Sequence, residues 1–145
     1  MGLYTAVLQR TGAQQNIGSV EAPAASMRRL AWTKVEFAID TTPADATLTW
    51  QFVRTSTASS GAAVTPNPLN PADAACVAVA TNVITTAGST GVLLEAIALN
   101  QRATYTWTGY GEGELIVPAT ASNGIIVRNG ASSALTATAT VTFRE

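Results

Sequence analysis

At 145 residues, with 12% charged side chains and a formal net charge of −1, the chain fits one domain and carries no electrostatic footprint for a nucleic-acid backbone. It has no histidine and a single cysteine, Cys76, which excludes an intramolecular disulfide, a cysteine-based metal cluster and the histidine-dependent hydrolase arrangements. No apolar run approaches the roughly 20 residues that cross a bilayer as a helix, and nothing favours the oxidising secretory compartment, so cytosolic synthesis without a membrane partner is the expectation.

Taken in chain order, the first strand signal covers residues 4–10. Residues 11–29 show no strong period and are rich in Gln, Ser and Ala; they read as a long surface loop or as an arm that orders on a neighbour. The chain then divides into an N-terminal segment, 1–27, made of a strand plus an irregular arm or loop, and a β-sandwich domain, 28–145. Deletion of residues 1–25 is expected to weaken assembly and leave the sandwich folded. Arg28-Arg29 is too short for a nucleic-acid patch and suits clamping a neighbouring carboxylate.

Period-2 patterns follow. Over 34–39, Val35, Phe37 and Ile39 alternate with Lys34, Glu36 and Ala38; over 47–54, Leu48, Trp50 and Phe52 alternate with Thr47, Thr49 and Gln51. Thr42-Pro43-Ala44-Asp45 is a turn signal, and Ser59-Ser60-Gly61 breaks the next run. Residues 66–71 hold three prolines and read as an irregular surface loop. Asn70 as N-cap with Pro71 at the first helical position predicts one short helical turn over 70–75.

Further strands are predicted over 76–84, 91–99, 103–108, 114–117 and 124–128, separated by glycine-rich turns at 88–91, 109–113 and 129–130. Residues 134–143 alternate most cleanly: Leu135, Ala137, Ala139, Val141 and Phe143 against Thr136, Thr138, Thr140 and Thr142. Threonine favours strands because its branched Cβ crowds a helical turn. Eight to nine short strands with at most one helical turn give an all-β, two-sheet β-sandwich, jelly-roll-like.

Chemistry-bearing residues are few. Cys76, among alanines and valines and with no histidine to activate it, reads as a small core residue. Glu112 and Glu114 form either a solvated turn, the preferred reading, or a hard-cation site. Glu95 interrupts an apolar run and needs a partner; Arg102 and Arg128 are the candidates. Gly109-Tyr110-Gly111-Glu112-Gly113 lacks a lysine and precedes a strand, so it reads as a turn and not as a phosphate loop. Trp50 and Trp107 are expected in the core. Arg28, Arg29, Trp32 and Tyr110 are the candidate protein-interface residues. No catalytic, cofactor-binding or metal-ligating residue is assigned.

Several stretches together resemble one family. They are Thr42-Pro43-Ala44-Asp45-Ala46, Val64-Thr65-Pro66, Leu69-Asn70-Pro71-Ala72-Asp73-Ala74-Ala75, Leu99-Asn100-Gln101-Arg102-Ala103-Thr104, and the run Gly113-Glu114-Leu115-Ile116-Val117-Pro118-Ala119-Thr120-Ala121-Ser122-Asn123-Gly124-Ile125. The pattern resembles small structural proteins of tailed bacteriophages encoded near the major capsid protein, often head decoration (cement) proteins. The resemblance implies a β-sandwich without enzymatic activity or cofactor. It also implies a homotrimer, or alternatively a homodimer, bound to the major capsid protein on the outer head surface. A tail, neck or fibre component is the second reading, and a carbohydrate-binding module, with exposed rings as a sugar platform, the third.

Overall fold

The computed structural model describes residues 1–12, 16–25, 28–130 and 135–145. Its strands are β1 (Leu3–Gly12), β2 (Asn16–Glu21), β3 (Leu30–Ile39), β4 (Thr47–Thr55), β5 (Ser60–Val64) and β6 (Asn67–Pro68), followed by β7 (Val79–Thr86), β8 (Thr90–Asn100), β9 (Tyr105–Thr108), β10 (Leu115–Val117), β11 (Gly124–Asn129) and β12 (Leu135–Arg144). They form two six-stranded antiparallel sheets. The first runs β10-β3-β12-β1-β6, with β9 beside β10 on the same flank of β3; the second runs β5-β7-β2-β11-β4-β8.

Without β5–β7, the two sheets read β1-β12-β3-β9/β10 and β2-β11-β4-β8. First and last strands are interleaved in both, and apart from the steps β4 to β8 and β9 to β10 the chain alternates between sheets. That is the double Greek key of a jelly roll. β5, β6 and β7 form an insert between the fourth and fifth long strands. β5 and β7 extend one sheet beyond β2, and β6 extends the other beyond β1. One side of the sandwich is therefore closed by the insert, and the other ends in the free edges of β8 and of β9 with β10.

The core follows from alternation. β12 alternates buried and half-buried along its whole length, with Ala137, Ala139, Val141 and Phe143 inward. Aromatic rings fill the middle: Phe37 and Trp50 lie 4.5 Å apart, and Phe52 meets Trp32 and Trp107 edge-on at 6.2 and 5.5 Å. Trp50 is buried and Trp107 packs half-buried against the same cluster, as the sequence suggests. Val53 and Ile126, paired across β4 and β11, are buried yet outside this cluster. By alternation they face the far side of the second sheet.

Four expectations are corrected. Within 11–29, residues 16–21 are neither loop nor arm: they form β2, which lies between β7 and β11 inside the second sheet. The N-terminal segment 1–27 thus supplies two interior strands, although residues 13–15 and 26–27 lie outside the described ones. Twelve strands replace the eight or nine: β2 is added, and β5 and the two-residue β6 form within stretches read as a break and a proline loop. Residues 70–75 make a capped turn but no helix: Asn70 Oδ1 accepts the Ala72 N–H, and the Asp73 N–H donates to the Asn70 carbonyl. The described helical segment is a 3₁₀ turn at Gly111–Gly113.

The fourth concerns Trp32. It is 0% exposed and cannot be a contact residue. Lys34 pairs with Thr142 and Trp32 with Phe143, so a bulge at Thr33 shifts the register. Trp32 and Val35, three apart, both turn inward, where uninterrupted alternation would have sent Trp32 out.

Candidate interaction surface

The other candidate interface residues are exposed but scattered. Tyr110 is 79% exposed and precedes the 3₁₀ turn, whose register on β3 is fixed by the Gly109 N–H donating to the Thr33 carbonyl. Arg28 and Arg29 are both exposed and diverge. Arg28 reaches Glu145, 3.7 Å away, so the carboxylate it clamps belongs to its own chain. Arg29 lines a cleft of about 250 Å³ with Met1, Ala31, Glu114 and Arg144, where Arg144 and Glu114 form an ion pair.

The Glu145 carboxylate is the hub of one end of the sandwich. Its Oε2 accepts the Val77 N–H and the Cys76 thiol, each at 3.0 Å. Burial, with this hydrogen bond to Glu145 second, pushes the Cys76 thiol up to about 12. A thiol so held stays protonated near neutrality and is a poor nucleophile. Beside it, the Tyr4 hydroxyl donates to the Ala74 carbonyl at 2.9 Å, and burial and the Glu145 charge raise its pKa.

The remaining acids are separate. Glu112 sits in the 3₁₀ turn and Glu114 is taken by Arg144, so the two do not form one site. Glu95 does not pair with Arg102 or Arg128: its Oε1 accepts the Ala96 N–H, Arg102 Nε points to the Pro43 carbonyl, and Arg128 Nε donates to Gln51. Being half-exposed on an edge strand, Glu95 needs no buried cation. Among the described residues, no three Asp, Glu or Cys side chains converge as metal ligands.

Reading the sequence did not single out Glu21. It is 2% exposed, on the far side of the second sheet, and accepts from Ser19 Oγ at 2.8 Å and from the Ser59 N–H at 2.9 Å. Its chain neighbours hid it, because the bulge at Ile17 removes the alternation that would have marked β2 as a strand.

The most continuous surface is the outer face of the first sheet. Register places Val7, Thr140, Glu36 and Thr106 in one row and Thr5, Thr142, Lys34 and Thr108 in the next. Thr11 and Thr136 share a hydrogen bond of 2.8 Å at one end. Lys34 and Glu36 neutralise each other at 2.9 Å. Asp40 accepts from Gln9 Nε2 and Thr138 Oγ1 beside a shallow groove of about 290 Å³, lined by Glu36, Ala38, Thr106 and Thr140 among others. Rows follow the ~4.8 Å spacing of strands, so the face is a regular, near-neutral array of hydroxyls. Such a face is broad, regular and near-neutral.

The class defined by these features is an antiparallel two-sheet β-sandwich with jelly-roll strand order. Scans against protein-family models, curated proteins and solved structures each return no match.

Proposed function

We propose that this chain is a structural virion protein, a capsid decoration (cement) protein that binds the outside of a tailed-phage head and stabilises capsomer junctions. The observation that carries the reading is the near-neutral threonine face of the first sheet on a rigid jelly roll. The sequence resemblance described above supports it independently. On this reading the protein is made in the host cytoplasm and acts on the outer capsid surface. Its partner is the major capsid protein, and it uses no cofactor, nucleic acid or membrane.

Mechanically, a sandwich laid over a junction opposes outward pressure through many weak hydroxyl and apolar contacts repeated over the shell. Self-association, as a homotrimer or homodimer, raises the effective concentration of each further contact. The protonated Cys76, Glu114 paired with Arg144, and Asp40 held by Thr138 favour a non-catalytic role.

Copy number in purified virions tests this directly. A copy number comparable to that of the shell protein supports decoration of the head. A number far below it supports the tail, neck or fibre reading, for which the same fold serves equally. The carbohydrate-binding reading loses its main indole, because Trp32 is buried.

A further inference from the structure

We propose that the open side of the sandwich, along the free edge of β8, is a two-fold interface with a second copy of this chain. The inference does not depend on the shell reading; it concerns how copies pair before any head is met.

The insert closes one side of the jelly roll, and the core reaches solvent at the other. Inward residues on interior strands are sealed, with Phe37 and Trp50 each 2% exposed and Phe52 0%. Their continuations on the edge strands are not. Leu94, Ile97 and Leu99 on β8 and Trp107 on β9 pack on the core but stay half-exposed. Tyr105, its ring 5.5 Å from Phe37, is 40% exposed. Further along β8, past the register shift, Val92 is 64% exposed, and Leu93, opposite Val53 on the far face, is 48% exposed. Among the described residues, no strand covers that flank.

The edge itself is built to receive a strand. β8 is 11 residues long, contains no proline and has one formal charge, Glu95. Among the described residues it pairs only with β4, so the other row of its backbone groups meets no strand; the Ala96 N–H is held by the side chain of Glu95 alone, which a pairing strand would displace. From Glu95 to Asn100 the pairing with β4 runs without a register shift, which leaves a regular edge there. Long apolar edges of this kind are templates for pairing with another chain.

Length selects the occupant. The other free edges among the described residues are β5, β6, β9 and β10, of five, two, four and three residues. None matches β8, so the fitting partner that a second copy can offer is β8 itself, antiparallel across a two-fold axis. An axis at Glu95 would oppose like charges; an axis at Ala96 separates the two carboxylates and places Glu95 opposite Ile97. A flank of roughly 36 Å by 15–20 Å gives about 500–700 Å² per copy, and about 1,000–1,400 Å² for the pair, enough for a specific interface.

Sedimentation velocity of the whole chain tests the seam without heads. The expected result is a species of about 30 kDa, twice the 14.9 kDa chain. Ala96→Lys and Ala98→Lys each add a charge at an exposed position of the β8 edge, and both variants are expected to sediment as monomers with an unchanged circular dichroism spectrum. Ala62→Lys, on the exposed β5 edge of the closed side, is expected to remain dimeric. A monomeric or trimeric wild type overturns the seam and leaves the shell reading standing. So do folded lysine variants of β8 that still dimerise.

Discussion

Gly124 is bare so that Glu21 can lie across it: a Cβ at Gly124 would stand 2.4 Å from Cγ of Glu21 and 3.0 Å from the Val20 carbonyl. Glu21, Gly124 and Thr55 are cross-strand neighbours on β2, β11 and β4. Over this gap the Glu21 carboxylate reaches the Ser59 N–H and ties the connection after β4 to the sheet. A buried acid without a cation is here a latch between a strand and a loop.

Gly124→Ala is expected to cost about 1–3 kcal/mol through overpacking against Glu21. Glu21→Ala is expected to cost about 1–3 kcal/mol, because it strands the Ser19 hydroxyl and the Ser59 N–H. In the double variant the clash disappears, so urea titration is expected to give a loss smaller than the sum of the two. Simple additivity would contradict the contact.

Trp32 and Tyr110 make a contrasting pair. Trp32→Ala is expected to lower stability by about 3–5 kcal/mol, as a fully buried ring does, whereas Tyr110→Ala stays within about 0.5 kcal/mol. Denaturant midpoints of the two variants decide it; equal effects would place Trp32 at the surface.

The missed β2 and the misplaced Trp32 have one physical cause. Residues 134–143 were legible because β12 alternates without interruption over its described length, Leu135–Arg144. Bulges at Ile17 and Thr33 insert one residue each, so Ile17 and Val20, and likewise Trp32 and Val35, face the same way at a spacing of three. Sequence carries no local mark of such a bulge, and β2 therefore looked like an irregular arm. The neutral threonine face was readable as a pattern on β12. Its breadth depends on the register of β1, β3 and β9, which no single segment reveals.

Removal of residues 1–25 deletes β1 and β2, each interior to its sheet. The truncated chain is expected to be unfolded or insoluble, as judged by circular dichroism and proteolysis. A folded truncation would mean that the sandwich closes without them.

Val83 adopts φ 46°, a left-handed conformation that a β-branched residue enters only under strain, and it is 42% exposed. Val83→Gly is expected to raise stability by about 0.5–1 kcal/mol, since the relief exceeds the entropic cost of glycine. A lower melting temperature would contradict the strain.

Cys76 links stability to alkaline pH. Its folded pKa, about 12, lies above an ordinary value of 9.0, so the neutral thiol is favoured in the folded state. That contribution is complete below about pH 9 and is lost as pH rises toward 12. Native protein is accordingly expected to react with a disulfide reagent at pH 8 far more slowly than urea-unfolded chain. Equal rates would contradict the thiol's hydrogen bond to Glu145.

The most direct measurement is co-sedimentation of the purified protein with decoration-free phage heads, with bound copies counted against shell subunits. The account predicts saturable binding in a fixed ratio to the shell protein. It also predicts loss of binding when Thr140 and Thr142, at the centre of the threonine face, are both changed to Glu in a chain that stays folded. Protein that remains wholly in the supernatant at concentrations where it is folded would contradict a role on the head.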